Sequence, residues 1–358
     1  KGAETEESIA QGAVDNAQAA VDNAQTDKDT ADKAVEEKTT AKNEADKNVN
    51  TAQNDVNAKK KTLDDALAKL QNGAFTFFED IGALDALAVL NDKTNSADTV
   101  KGAEGDATSY TNMLESIKWL ERFNEIRVEA GLSELKVSYY MMAVAMSNAN
   151  WSAANAGDHS QHWGVGENLH EHTVNSGEID PFNGWYYEEK ENFETQNGGQ
   201  TGHYENIVND RYTVTGFAAV DDPDYLGYYE GKLYSQTFAY DSDAAANNGA
   251  MTVAEFKAKL QEWYDNLVTK ADTAYNNALT TLSNMKKIAE TAAKDLLSAQ
   301  STAGEKKAAL EAAQNVLKSA NDVLNQKKQA VAQAEAQVKL AKEILAKAQT
   351  ELGIAQAD

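Results

Sequence analysis

Apolar residues in the first seventy positions recur at every seventh place. AVDNAQA at 13–19 is followed at once by AVDNAQT at 20–26, and stepping by sevens gives Val14, Val21, Lys28, Val35, Lys42, Val49, Val56, Leu63 and Leu70. A companion series runs Ala17, Ala24, Ala31, Lys38, Ala45, Ala52, Lys59 and Ala66. Two such series predict a long helix with a narrow seam, one side of it filled by alanine. Asn72-Gly73 is a helix-ending signal and sets the limit of this arm at 1–72.

The last hundred residues repeat the pattern in one unbroken phase. Val268, Tyr275, Leu282, Ala289, Leu296, Ala303, Leu310, Leu317, Leu324, Val331, Val338, Leu345 and Leu352 are seven apart, accompanied by Ala271, Ala278, Met285, Ala292, Ala299, Ala313, Ala320, Ala334, Ala341 and Ala348. Because the phase survives Gly304, a single helix is expected rather than a hairpin broken there. Thr252 and Glu255 have capping-box spacing at the start of this second arm, 249–358. Two alanine-seamed arms around one insert predict an antiparallel coiled-coil stalk, and an arm of ~65 residues would reach about 100 Å. The second arm is the longer, so its far end calls for a further partner: preceding sequence, or a second subunit in a homodimer formed through the stalk.

Between the arms the period changes. Segment 73–111 reads as a neck with a short aromatic helix and a polar loop. A helix over about 112–130 buries Leu114, Ile117, Leu120, Phe123, Ile126 and Val128, and a second over about 137–154 carries Val137, Tyr140, Met141, Val144, Ala145 and Ala149. Tyr212–Val220 and Leu233–Tyr240 alternate like strands, with Asp222-Pro223-Asp224 and Gly227 suited to a hairpin-like connection. The insert is therefore α+β, helices early and strands late, with its head at 112–248.

Composition agrees with that division. All five Trp and all five His lie in the middle of the chain, which alone looks able to build a conventional core. A net charge of −24 excludes a phosphate-backbone partner, so no nucleic acid is expected, and it disfavours anionic lipid. No apolar run is long enough to span a bilayer, so direct membrane insertion is not expected. There is no Cys, which suits a cytosolic protein or an exported protein of a Gram-positive bacterium. No signal peptide is visible, and a start at Lys1 fits a mature or trimmed chain.

Candidate chemistry centres on HSQHWGVGENL at 159–169, where His159 and His162 precede a Gly-Glu-Asn turn. Neutral imidazoles can share a divalent cation while a neighbouring carboxylate orients or deprotonates a bound water; a carboxylate at a turn can equally cap backbone N–H groups. His170 and His172 resemble a metal clip, but alternate residues share a face only in a strand, and they read as solvated. The acidic pairs Asp221-Asp222-x-Asp224 and Asp241-x-Asp243 lack a full calcium-loop pattern. The metalloprotease helix, the nucleophile elbow and the phosphate loop are all missing.

Four places in order carry a resemblance: Asn124-x-x-Arg127 with Gly131-Leu132, then Gly166-Glu167-Asn168-Leu169, then Trp185-Tyr186-Tyr187-Glu188, then Gly202-His203-Tyr204. With the tail strand Thr215-Gly216-Phe217-Ala218, segment 112–240 resembles the CAP superfamily domain of cysteine-rich secretory, antigen 5 and pathogenesis-related proteins. Set between alanine-rich arms, it looks like the surface exclusion proteins of Gram-positive cell walls. The resemblance implies an α-β-α sandwich head, secretion, and cell-wall association. It implies a cleft whose two histidines and two acids are Glu167, Glu188, His203 and one of His159 or His162. His-Ser order after the second helix favours His159, and His162 stays the rival. The candidate metal ligands are His159, His203 and His162, the candidate cation zinc, magnesium or calcium.

The function implied is surface exclusion, adhesion or control of contact between cells, with surface proteins or cell-wall components of neighbouring cells as partners. Its rivals are a metal-dependent hydrolase or peptidase acting through the cleft, and a module binding a lipid or peptide. Around Trp185 two readings remain: a strand would place Trp185 with Tyr187, a helix Trp185 with Glu188.

Overall fold

The computed structural model describes residues 1–174, 180–225 and 229–355. It divides into two compact units, Lys1–Val56 with Ala278–Asp358, and Asn57–Asn277.

The first unit is made of the larger parts of two helices, α1 (Gly2–Leu70) and the last helix of the chain, Lys270–Ala355, whose remaining turns belong to the second unit. The latter runs through Gly304 without a break, as its unbroken heptad phase predicts. Ala10, Ala17, Ala31, Ala45 and Ala52 are buried on α1, and Ala278, Leu282, Leu310 and Leu324 on the last helix, so the heptad seams are the covered faces. Three ion pairs link the helices: Lys38–Asp295 at 2.9 Å, Asp27–Lys306 at 2.8 Å and Glu6–Lys327 at 2.8 Å. Going from Lys38 to Asp27 the α1 position falls by 11 and its partner rises by 11 (295 to 306); from Asp27 to Glu6 it falls by 21 and the partner rises by 21 (306 to 327). The two helices therefore run in opposite directions in one fixed register. Lysines that interrupt the α1 seam are used: Lys38 reaches across, while Lys28 and Lys42 turn back to Asp32 and Asp46. Beyond the register of Lys1 the seam is bare, and Val338, Leu345 and Leu352 are exposed.

The second unit holds α2 (Ala74–Asp80), α3 (Leu84–Leu90), α4 (Tyr110–Glu129), β1 (Lys136–Val137), α5 (Tyr139–Ala154), β2 (Gly166–Thr173), α6 (Glu189–Thr195), α7 (Gly202–Val208), β3 (Tyr212–Tyr225), β4 (Tyr229–Tyr240), α8 (Ala244–Asn247) and α9 (Val253–Tyr264). The last helix follows α9 and is α10. The four strands lie in the order β1-β3-β4-β2, with β1 parallel to β3 and the other pairs antiparallel. The hairpin β3–β4 is longer than its alternation suggests, and Gly227 lies outside the described residues.

A helix covers each face of the sheet. On one, Trp119 and Phe123 of α4 pack edge-on against Tyr234 and Phe238 of β4. On the other, α5 approaches so closely that a Cβ on Gly216 would lie 2.0 Å from the Met141 carbonyl oxygen; only glycine fits there. Asn124-x-x-Arg127 serves structure: Asn124 exchanges hydrogen bonds with the Leu135 backbone, and buried Arg127 donates to the carbonyls of Ser133, Ile207 and Asn209. The neck segment contributes α2 and α3 to the same core, Phe77 packing on Tyr139, Phe256 and Trp263. Thr252 and Glu255 form the capping box of α9.

Candidate functional site

Gly166-Glu167-Asn168 does not form a turn. It opens β2, an edge strand whose eight residues pair with Phe238 to Gly231 of β4, and this ladder overrides the weak strand preference of Gly and Asn. The alternation of β2 aims Glu167 at one face. There one carboxylate oxygen accepts the Ser235 hydroxyl at 2.7 Å and the other meets His159 Nδ1 at 2.7 Å. The Glu167 side chain is 7% exposed and that of His159 46%, so a fixed carboxylate holds an imidazole at the surface. The Glu167 hydrogen bond raises the His159 pKa above its ordinary value, against the opposing effect of burial.

The two histidines of the corner part company. Gln161 between them has φ 58°, a left-handed turn, and Ser160 is anchored by its 2.6 Å bond to Asn148. His162 leaves Glu167 altogether, its Nδ1 3.2 Å from the Asn95 carbonyl and its ring edge-on to Trp151. Of the two, His159 is the one brought to the Gly-Glu-Asn segment. It lines a cavity of about 180 Å³ with Asn148, Trp163 and Glu167.

The second pair forms on other elements. His203 Nδ1 lies 2.5 Å from Glu189, whose other oxygen accepts the backbone N–H groups of His203 and Tyr204 at 2.8 and 3.0 Å. A buried anion thus caps the first turn of α7. The partner is Glu189; Glu188, the residue that W-x-x-E spacing points to, is exposed. The reason is a π-helical turn over Asn183–Glu188, which widens the turn by a residue and brings the position four after Trp185 into the place expected for the third. The helical reading of Trp185–Glu188 is the right one in kind. The doubled glutamate was the signal available for the shift.

Two asparagines connect the pairs. Buried Asn168 donates to the His203 carbonyl at 3.2 Å and accepts from Asn206 at 2.9 Å; Asn206 in turn accepts from the Tyr212 hydroxyl at 3.2 Å. A groove of about 750 Å³ passes His203, Glu189 and Glu188, with Trp185, His170 and Glu171 in its walls.

His170 and His172 are not solvated. They share a face of β2 among Trp185 and Tyr234, and His172 is 7% exposed. Burial, with the neighbouring His172 and His203, pushes the His170 pKa down to about 4. The acids considered for calcium serve structure: Asp221 pairs with Lys232 at 3.1 Å and Asp243 caps α8, while the Asp224 side chain lies outside the described residues.

Each imidazole uses Nδ1 on its own carboxylate, which for a neutral ring leaves Nε2 as the acceptor. Among the described residues no group of three or more His, Asp or Glu side chains is arranged to hold a metal ion. The arrangement is two His–Glu pairs, each built to fix a ring's tautomer and direction, rather than one three-ligand centre.

Residues 120–238 match the sequence profile of CAP, the cysteine-rich secretory protein family. A CAP domain therefore occupies that segment, about a third of the chain, and contains both His–Glu pairs. No curated protein matches the chain.

Proposed function

From a CAP domain at residues 120–238, we propose that this chain is a stalked cell-surface protein, its two long helices an antiparallel coiled coil and its CAP domain a head that governs contact between cells. CAP-domain proteins are generally secreted, and no described helix is long and apolar enough to cross a membrane. In this reading the protein acts at the Gram-positive cell wall in surface exclusion or adhesion, on surface proteins or wall components of neighbouring cells. One observation carries it: the shared register of the three ion pairs, with alanines buried between. Small seam residues and a constant register are what a long spacer of fixed length requires. The exposed seam at Val338, Leu345 and Leu352 would be covered by preceding sequence or by a second copy in a homodimer.

The test is to remove residues 22–35 together with 298–311, two heptads from each helix in matched register. The shortened protein should keep the thermal melting of its head while contact between cells that display it changes. Unchanged contact would sink the spacer role.

A second reading is favoured by the two ordered His–Glu pairs: metal-dependent hydrolysis, with a peptide as substrate, or capture of a lipid or peptide in the groove. A neutral His203 held by Glu189 is placed to accept a proton at Nε2. A divalent cation, zinc, magnesium or calcium, would here find two imidazoles and complete its shell with water. Replacing Glu167 and His203 together by Ala should abolish turnover while the head stays folded; an active double variant rules this reading out.

A further inference from the structure

A cavity larger than the groove beside His203 lies elsewhere in the head. It measures about 1030 Å³ and lies toward the His172 end of β2, between the loop before α4, the end of α5 and the paired stretches 220–222 of β3 and 230–234 of β4. Its apolar wall is Val100, Ala153, Ala154 and Val220. Around this wall stand the exposed carboxylates of Asp98, Glu104 and Glu230, none of which makes an ion pair among the described residues. The cation in the lining, Lys232, is already held by Glu115 and Asp221.

Acidic clusters are common in so acidic a chain, and the floor provides an independent observation. His172 lines this cavity, is 7% exposed, and its Nδ1 has no hydrogen-bond partner. A buried polar atom left in that state is destabilising unless something else satisfies it. No hydrogen bond anchors Nδ1, so a turn of the ring about Cβ–Cγ would break none. Burial lowers the His172 pKa, which favours the neutral ring, an acceptor for an N–H donor.

We propose that this cavity binds an alkylammonium cation. The alkyl chain lies along Val100, Ala153 and Val220, the ammonium groups sit among Asp98, Glu104 and Glu230, and one N–H donates to His172. Apolar length matches the wall, and positive charge matches the three uncompensated carboxylates. Neither the stalk nor the His–Glu pairs enter this argument.

The experiment titrates the full chain with spermidine by calorimetry while following the His172 ring by NMR. A parallel arm uses a blocked tripeptide with a central lysine, which separates a free polyamine from a protein side chain as the source. Three variants are compared: Glu104→Gln with Glu230→Gln, His172→Phe, and, as a charge-matched control, Glu335→Gln with Glu343→Gln in α10. The expected result is one-site binding of at least one probe and a shift of the His172 resonances. Affinity should fall roughly tenfold in the cavity double variant and stay unchanged in the control. His172→Phe, if folded, should bind more weakly. Equal losses in control and cavity variants, unmoved His172 resonances, or no binding of either probe would overturn the proposal.

Discussion

His203 lies 2.5 Å from Glu189, and the same carboxylate closes the backbone of His203 and Tyr204, while its neighbour Glu188 faces solvent. The side chain thus orients the imidazole and caps the first turn of α7 in one stroke. Glu189→Ala should cost about 2–4 kcal/mol, because buried N–H groups lose their acceptor; Glu188→Ala should stay within about 0.5 kcal/mol. Urea denaturation of the two variants decides it, and equal effects would place the anchor elsewhere.

His170 makes the head acid-sensitive. Its ring takes up a proton near the ordinary 6.5 when unfolded but only near pH 4 when folded, because burial disfavours the charge. The stability it contributes is complete above pH 6.5 and is lost as pH falls toward 4, on the order of 2–3 kcal/mol. His170→Gln should therefore show a shallower loss of urea midpoint across that window than the parent protein.

His159 should behave in the opposite sense. Its pKa is raised, chiefly by the hydrogen bond to Glu167, so the stability of the charged pair is complete below the ordinary histidine value and disappears as pH rises through the raised one. In NMR titration, Glu167→Gln should lower the His159 midpoint, and an unmoved midpoint would mean that Glu167 is not the cause of the raised value.

Arg127 satisfies three backbone carbonyls from a buried position, and no described carboxylate hydrogen-bonds to it. Arg127→Ala leaves those oxygens without their donor and should destabilise the head by about 3–5 kcal/mol, read from denaturant midpoints. A loss below 1 kcal/mol would mean that water replaces the guanidinium at little cost.

The buried seam of α1 tolerates little bulk. Ala45→Leu should destabilise the helix pair by about 1–3 kcal/mol, whereas Ala348→Leu, on an exposed stretch, should be neutral in the monomer. Thermal melts followed by circular dichroism distinguish them.

The long helices were legible because a heptad repeated this many times leaves no other regular structure that buries the same face. Both head helices and both hairpin strands were legible from period alone, with boundaries a few residues off. β2 was not: Gly166, Glu167 and Asn168 favour turns locally, and only pairing along β4 holds them extended. The burial of His170 and His172 followed from that same unseen strand. Glu189 was missed because residue counting assumes a constant helical rise, and the π-turn after Phe182 breaks that assumption.

The continuity of α10 has a mechanical consequence. It joins the π-helical turn after α9 without a break, so a pull at its carboxyl end passes along covalent backbone and helix hydrogen bonds into the head. The ion pairs to α1 lie beside that line of force and bear little of it. Traction along α10 is therefore carried by its own backbone, whether or not those ion pairs are made.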